Sequence, residues 1–306
     1  MTGSAPAPAA SAASSLRTRL ELGRVSNLPT VWSGALAAAL LSEVPLSAAP
    51  TLAVVLALSL YYVAGMYLND ACDADIDAIE RPTRPIPSGR ASVADVRLEA
   101  ALMFVLGTAL LAAARIAAPG AAGSGSAAWV PATALLIGAI VAYDRAHKDV
   151  PHAPLVMGAC RLLVYAVTAC TLAGALPAAA LGGGALVFAW VVGLTLVARG
   201  EKNGPIVSPL PLALLALPLL VGAHAAASEP LVLLPLVPLA GTLVLAARRF
   251  RRGRGEDTGR AVGLMIAGIC LVDATLVARN GESGWVVAML GAFALALWLQ
   301  GRVAAN

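Results

Sequence analysis

The sequence predicts an all-α membrane protein, a polytopic bundle of about 9–10 transmembrane helices around a central cavity. Three observations predict it. Hydrophobic residues fill 59% of the 306 positions and charged residues only 12%, more apolar material than a water-soluble fold can bury. The mean hydropathy is +0.82. Apolar stretches approaching ~20 residues, the length that crosses a hydrocarbon core, recur along the whole chain.

Taken in order, residues 1–23 read as a disordered and juxtamembrane tail. The first 15 are rich in Ala, Ser and Pro and carry no charge, and Arg17 and Arg19 follow them. Basic residues after the tail, with no short apolar core behind them, do not make a signal peptide. From residue 24 to 306 the chain reads as one transmembrane domain. Its apolar runs lie near 28–46, 51–68, 95–117, 127–143, 154–175, 179–198, 207–226, 230–247, 261–279 and 284–301. They are too long and too continuously apolar for barrel strands, so each is expected to be helical. The prolines within 205–238 are expected to kink or end helices there. Cys72, Cys160, Cys170 and Cys270 show no metal-binding or redox spacing and read as buried free thiols.

Charge placement orients the bundle. With the N-terminus cytoplasmic and ten spans, eighteen of the 21 Lys and Arg residues fall on the inner side. Arg115 and Arg279 fall outside, and Arg161 lies within a span. A net charge of +4 thus reflects the positive-inside rule and not a nucleic-acid surface. The inner segments are 69–94, 144–153, 199–206 and 248–260. The outer loops are short and rich in Ala, Gly and Pro, so a polar site must open inward.

The densest chemistry is Asn69-Asp70-Ala71-Cys72-Asp73-Ala74-Asp75-Ile76-Asp77. Asn69, Asp73 and Asp77 recur at i, i+4, i+8, with Asp70 in the same arc, so a helix would bring their oxygens to one face. Carboxylates so crowded call for a cation. Hard oxygen donors without His or Cys partners favour Mg²⁺, which fills its shell with water and substrate phosphates. A phosphorylated substrate follows. Glu80-Arg81-Pro82-Thr83-Arg84-Pro85-Ile86-Pro87-Ser88-Gly89-Arg90 comes next. Its prolines are expected to hold the loop extended and rigid, and its arginines are natural phosphate partners. The competing reading is a solvated, positive-inside loop.

NDACDADID followed by ERPTRPIPSGR resembles the first Asp-rich signature, NDxxDxxxD with a trailing RPxRPxPSG, of the UbiA superfamily of intramembrane prenyltransferases. Tyr143-Asp144-Arg145-Ala146-His147-Lys148 is similar to that family's Tyr/Lys segment, and Arg24-Val25-Ser26-Asn27-Leu28-Pro29 to its usual opening. The resemblance covers most of the chain and makes residues 24–306 a UbiA-like prenyltransferase domain. It implies Mg²⁺ on Asn69, Asp70, Asp73 and Asp77. It implies diphosphate contacts from Arg84, Arg90, Tyr143, Lys148 and Arg161, and catalytic roles for Asp73, Asp77, Lys148 and Arg161. The family's second acidic motif, after its sixth span, is thinned here to Glu201 in Gly193–Asn203, with Arg199 nearby. In that respect the chain is similar to the EboC-like branch. The implied partners are an isoprenyl diphosphate, an unidentified acceptor and membrane lipid.

Two ionisable residues fall inside spans. Arg161 could hold diphosphate oxygens or the acceptor's polar group, or pair structurally with Asp273 in the ninth span. Asp273 could orient an acceptor, act as a base, or serve only in that pair. His147, His152 and His224 have no metal-ligand spacing, and the arginines from 248 to 260 read as a topology determinant. A CDP-alcohol phosphotransferase is excluded by the absence of its Asp-Gly, Ala-Arg and Gly-spaced acid signature. A transporter or non-catalytic lipid-handling protein on the same scaffold is the rival from another class.

Overall fold

The computed structural model describes residues 16–118, 127–146, 150–203, 209–252 and 255–302. Among them every regular element is helical: α1 (Leu16–Leu22), α2 (Pro29–Leu40), α3 (Ala48–Cys72), α4 (Ala74–Glu80), α5 (Val93–Ala117), α6 (Trp129–Ala146), α7 (Ala153–Ala173), α8 (Ala178–Asn203), α9 (Leu210–Ala225), α10 (Leu233–Phe250), α11 (Gly255–Ala267), α12 (Ile269–Ala278) and α13 (Ser283–Gln300). Seven stretches are long and apolar enough to cross a membrane: α3, α5, α7, most of α8, Pro230–Phe250, the α11–α12 pair and α13. The three remaining apolar runs also fold as helices. However, α2 has 12 residues and α9 has 16, a rise of roughly 18–24 Å that falls short of a full span.

Part of the expected tail is structured. The last residues of segment 1–23 form α1, where Leu22 is buried with Tyr67 and Ala71 of α3 and Arg19 pairs with Glu99 of α5 at 2.9 Å. Residues 1–15 lie outside the described residues.

Helix packing follows side-chain size. Gly107 lets α5 close on α3, because a Cβ there would sit 2.5 Å from the Tyr61 ring. The span 255–278 is the innermost, 89% buried, whereas α13 is 17% buried and lies at the periphery. Its break between α11 and α12 has a local cause. The Trp190 indole donates to the Met265 carbonyl at 2.9 Å, an insertion into the helical hydrogen-bond ladder that separates the two helices. Pro209 and Pro211 open α9, while Pro218 and Pro238 sit inside α9 and α10. Leu102, Val105 and Leu106 on α5 and Val237 and Val244 on α10 stay exposed, as a lipid-facing surface requires.

At the centre, α2 packs against α3, α7, α12 and α13, and α7 lies between α6 and α8. These helices enclose a cavity of about 320 Å³ with mostly apolar walls, including Leu58, Leu136, Val164, Leu194 and Ile269. Its polar groups come from Arg24, Asn27, Tyr62, Tyr143, Asp144, Arg161 and Thr195.

Candidate active site

The acidic sequence turns a corner instead of continuing as one helix. α3 ends at Cys72, Asp73 forms the bend, and α4 resumes at Ala74. Backbone bonds from Asp73 N to Asn69 O (3.0 Å) and from Asp77 N to Asp73 O (2.8 Å) keep helical spacing across it. Asn69, Asp70, Asp73 and Asp77 are buried, and Asp75 and Glu80 face outward.

The loop after α4 is folded, not extended. Arg84 N bonds Arg81 O (3.0 Å), Ser88 N bonds Arg84 O (3.0 Å) and Arg90 N bonds Pro85 O (2.9 Å), a chain of turns that proline readily starts. The fold-back delivers Arg84 to the acids. Its Nη1 donates to Asp77 Oδ2 at 2.6 Å and to Asp70 Oδ1 at 3.4 Å. Arg90 goes elsewhere: it grips Glu21 through two bonds of 2.8 and 3.1 Å and also reaches the Thr83 carbonyl. The Glu21 carboxylate raises the Arg90 pKa further. The structure therefore does not bring Arg90 to the cavity.

Two participants stood in family-like segments of the sequence without a site role assigned to them. Arg24 adopts a left-handed backbone (φ 42) before a short 3₁₀ turn, which turns its guanidinium onto Asp70 Oδ1 (2.9 Å) and Asn69 Oδ1 (3.3 Å). Asp144, at the end of α6, accepts from Asn69 Nδ2 at 3.4 Å. Its other oxygen is buried with no hydrogen-bond partner among the described residues. Tyr143 beside it lines the cavity. Lys148 lies outside the described residues. Glu201 belongs to α8, but its side chain lies outside the description. Arg199 donates to the Val150 carbonyl at 3.2 Å.

The donor set suits a hard divalent cation. Its ligating atoms are carboxylate and amide oxygens, and the unbonded Asp144 oxygen is a buried acceptor open to a further partner. Among the described residues no three acidic, His or Cys side chains converge as a ready-made cage. Mg²⁺ does not need one, since it is typically held by one or two carboxylates plus water and substrate phosphates.

Deeper in the cavity, Arg161 on α7 lies over the Tyr62 ring at 5.8 Å. The alternative of an Arg161–Asp273 ion pair does not form. Asp273 is fully buried and accepts from Ser33 Oγ at 2.6 Å and from the Tyr165 hydroxyl, tying α12 to α2 and α7. Asp273→Ala would strand both hydroxyls in a space closed to water, an expected loss of about 2–4 kcal/mol. Asp273→Asn keeps the shape and can bond both, with an expected loss of about 1 kcal/mol. Thermal unfolding in detergent micelles ranks the two variants; equal losses would contradict this role.

A profile of the UbiA prenyltransferase family matches residues 27–266. Similar curated proteins include the digeranylgeranylglyceryl phosphate synthase of Ignicoccus hospitalis, 40% identical over 100 residues that cover 32% of each chain. That of Methanopyrus kandleri is 36% identical over 95 residues, covering 31% of this chain and 35% of the relative. The chain thus spans about a third of the length of the curated relatives it matches. Among solved structures, a UbiA homolog from Aeropyrum pernix K1 superposes with a TM-score of 0.62 at 19% identity, covering 83% of this chain and 96% of that one. A structure described as digeranylgeranylglyceryl phosphate synthase gives a TM-score of 0.54 at 18% identity, covering 92% and 99%. At these identities the likeness is one of fold.

Proposed function

We propose that this chain, which belongs to the UbiA prenyltransferase family, moves an isoprenyl group from a Mg²⁺-bound isoprenyl diphosphate to an acceptor and releases diphosphate. One observation carries the reading. The buried acids Asp70, Asp73, Asp77 and Asp144 and the buried amide of Asn69, with Arg24 and Arg84 among them, sit beside an apolar cavity of about 320 Å³ whose wall includes Asp144 and Arg24. A diphosphate needs the charged end, and an isoprenyl chain needs the apolar one.

Asn69, Asp73 and Asp77, with Asp70 and Glu201, are the residues to hold Mg²⁺. Bound there, the metal would neutralise phosphate charge and stabilise the leaving group. The protein's own groups do the rest. Arg84 and Arg24 are placed to exchange carboxylate partners for diphosphate oxygens, and Tyr143 and Lys148 would flank the same group from the end of α6. The apolar walls exclude water from the allylic cation left when the C–O bond breaks with its electron pair on the diphosphate. The acceptor atom then supplies the electron pair for the new C–C or C–O bond, and its proton passes to a diphosphate oxygen.

The names of the curated relatives point to a glyceryl phosphate lipid as acceptor. We place the acidic end of the bundle on the cytoplasmic side, because the Lys and Arg residues concentrate in the segments at that end. The test uses proteoliposomes holding the purified chain, a labelled isoprenyl diphosphate and a long-chain glyceryl phosphate lipid. Product mass increased by one isoprenyl unit, with equimolar pyrophosphate, is expected. Label accumulating inside the vesicles without pyrophosphate would replace the transferase with a transporter.

A further inference from the structure

We infer that Arg161 is the acceptor's anchor, and that the acceptor of this enzyme carries an anionic group, a phosphate or a carboxylate, that seats on it. The inference rests on the transferase reading and specifies its second substrate. Arg161 lines the cavity and takes part in none of the ion pairs or hydrogen bonds among the described residues. Its contact is the face of Tyr62, at 5.8 Å. The carboxylate on a neighbouring helix, Asp273, is bonded to Ser33 and Tyr165. Asp273 acts on Arg161 only through space, and a guanidinium set into apolar walls without a direct ion pair among the described residues is costly unless a ligand supplies one.

The depth of Arg161 separates that ligand from the leaving group. Tyr62 precedes Asn69 by seven residues on α3, two helical turns or about 10 Å. A diphosphate held at Asn69, Asp73 and Asp77 occupies the mouth, and Arg161 lies beyond it, on the side where the isoprenyl chain and the acceptor meet.

The placement also sets an order. An unneutralised guanidinium repels an allylic cation formed in the same low-dielectric space. An acceptor anion cancels that charge, so the C–O bond ionises more readily with the acceptor in place. The electron pair of that bond leaves on the diphosphate, and the acceptor's nucleophile forms the new bond and yields its proton to a diphosphate oxygen. The arrangement limits wasteful hydrolysis of the donor.

Arg161→Gln and Arg161→Lys test this in the full-length protein. The probes are a long-chain glyceryl phosphate lipid, the same lipid lacking phosphate, a hydroxyaryl carboxylate and its methyl ester. Wild type is expected to favour an anionic probe over its neutral counterpart by on the order of 30-fold in kcat/KM, and whichever pair shows the gap identifies phosphate or carboxylate. Arg161→Gln should erase the gap through KM of the anionic probe, and its acceptor-free pyrophosphate release should rise severalfold. Arg161→Lys should keep most of the gap. A wild type indifferent to acceptor charge, or an Arg161→Gln variant that keeps the preference, overturns the inference while leaving prenyl transfer intact. An Arg161→Gln variant that releases no pyrophosphate while Arg161→Lys does would give Arg161 to the diphosphate and also overturn it. Absence of pyrophosphate release from wild type with every probe would instead remove the transferase reading.

Discussion

Asp77→Asn and Asp73→Asn are each expected to lower kcat/KM for prenyl transfer by about 10³-fold, equivalent to roughly 4 kcal/mol of transition-state stabilisation. Both carboxylates are buried on the face that carries Asn69. Neutralising one removes a hard anionic donor and weakens the hold on a divalent cation and, through it, on the leaving diphosphate. Asp77→Asn also takes the charged partner of Arg84, whose bond to Asp77 is 2.6 Å. Asp75 supplies the internal control. It lies in the same acidic run but faces outward, so Asp75→Asn should stay within about twofold of wild type. Initial rates of labelled product, measured over a Mg²⁺ series, separate the three variants. Equal effects at Asp75 and Asp77 would show that bulk negative charge matters and their positions do not.

Removing Arg84 should produce the largest change in stability. Its guanidinium joins Asp77 to Asp70 across the bend at Asp73, and the side chains involved are between 4% and 12% exposed. Arg84→Ala leaves two buried carboxylates with less positive charge than they need, which costs about 3–5 kcal/mol when a buried ion pair is broken on one side. Arg84→Lys recovers only part: both bonds leave one nitrogen, Nη1, which an ammonium can imitate, but the lysine stem is one bond shorter and reaches the acids less well. A divalent cation can take over the same carboxylates. Added Mg²⁺ should therefore raise the melting temperature of Arg84→Ala more than that of wild type. Thermal unfolding with and without Mg²⁺ reads this directly, and a variant indifferent to Mg²⁺ would contradict the assignment of these acids to the metal.

Much of this architecture can be read from the sequence because membrane helices announce themselves. A run such as 95–117 must be helical in lipid whatever its neighbours do, and α5 occupies Val93–Ala117. What escaped the sequence depends on contacts between distant residues. The break between α11 and α12 needs Trp190, 75 residues from the carbonyl it captures. The shortness of α2 is set by the turn after Leu40, where Glu43 takes a positive φ of 57; Ser42, Glu43 and Pro45 interrupt the apolar run 28–46 at that point, a stop signal that the run's overall hydropathy hides.

The site divides in the same way. Asn69, Asp70, Asp73 and Asp77 are close in sequence, so a helical period alone groups them. Arg24 and Asp144 join from 45 and 75 residues away, and no local rule reaches that far. The clue to Arg24 was its place as the basic residue just before the first apolar run. The clue to Asp144 was an acid at the very end of another. The loop misled in the opposite direction. Its prolines suggested an extended arm presenting Arg81, Arg84 and Arg90 together, whereas its turns send Arg84 inward and leave Arg90 with Glu21.

In the proposed reaction, buried acids at the mouth of an apolar cavity use Mg²⁺ to draw diphosphate from an isoprenyl donor. Pyrophosphate release by the purified wild-type protein, supplied with isoprenyl diphosphate and a glyceryl phosphate lipid, tests it most directly when followed through chelation and Mg²⁺ add-back. Release is expected to stop on chelation, to return with Mg²⁺, and to return hardly at all in Asp77→Asn. Release that continues at full rate under chelation, or that Asp77→Asn restores as well as wild type, would contradict it.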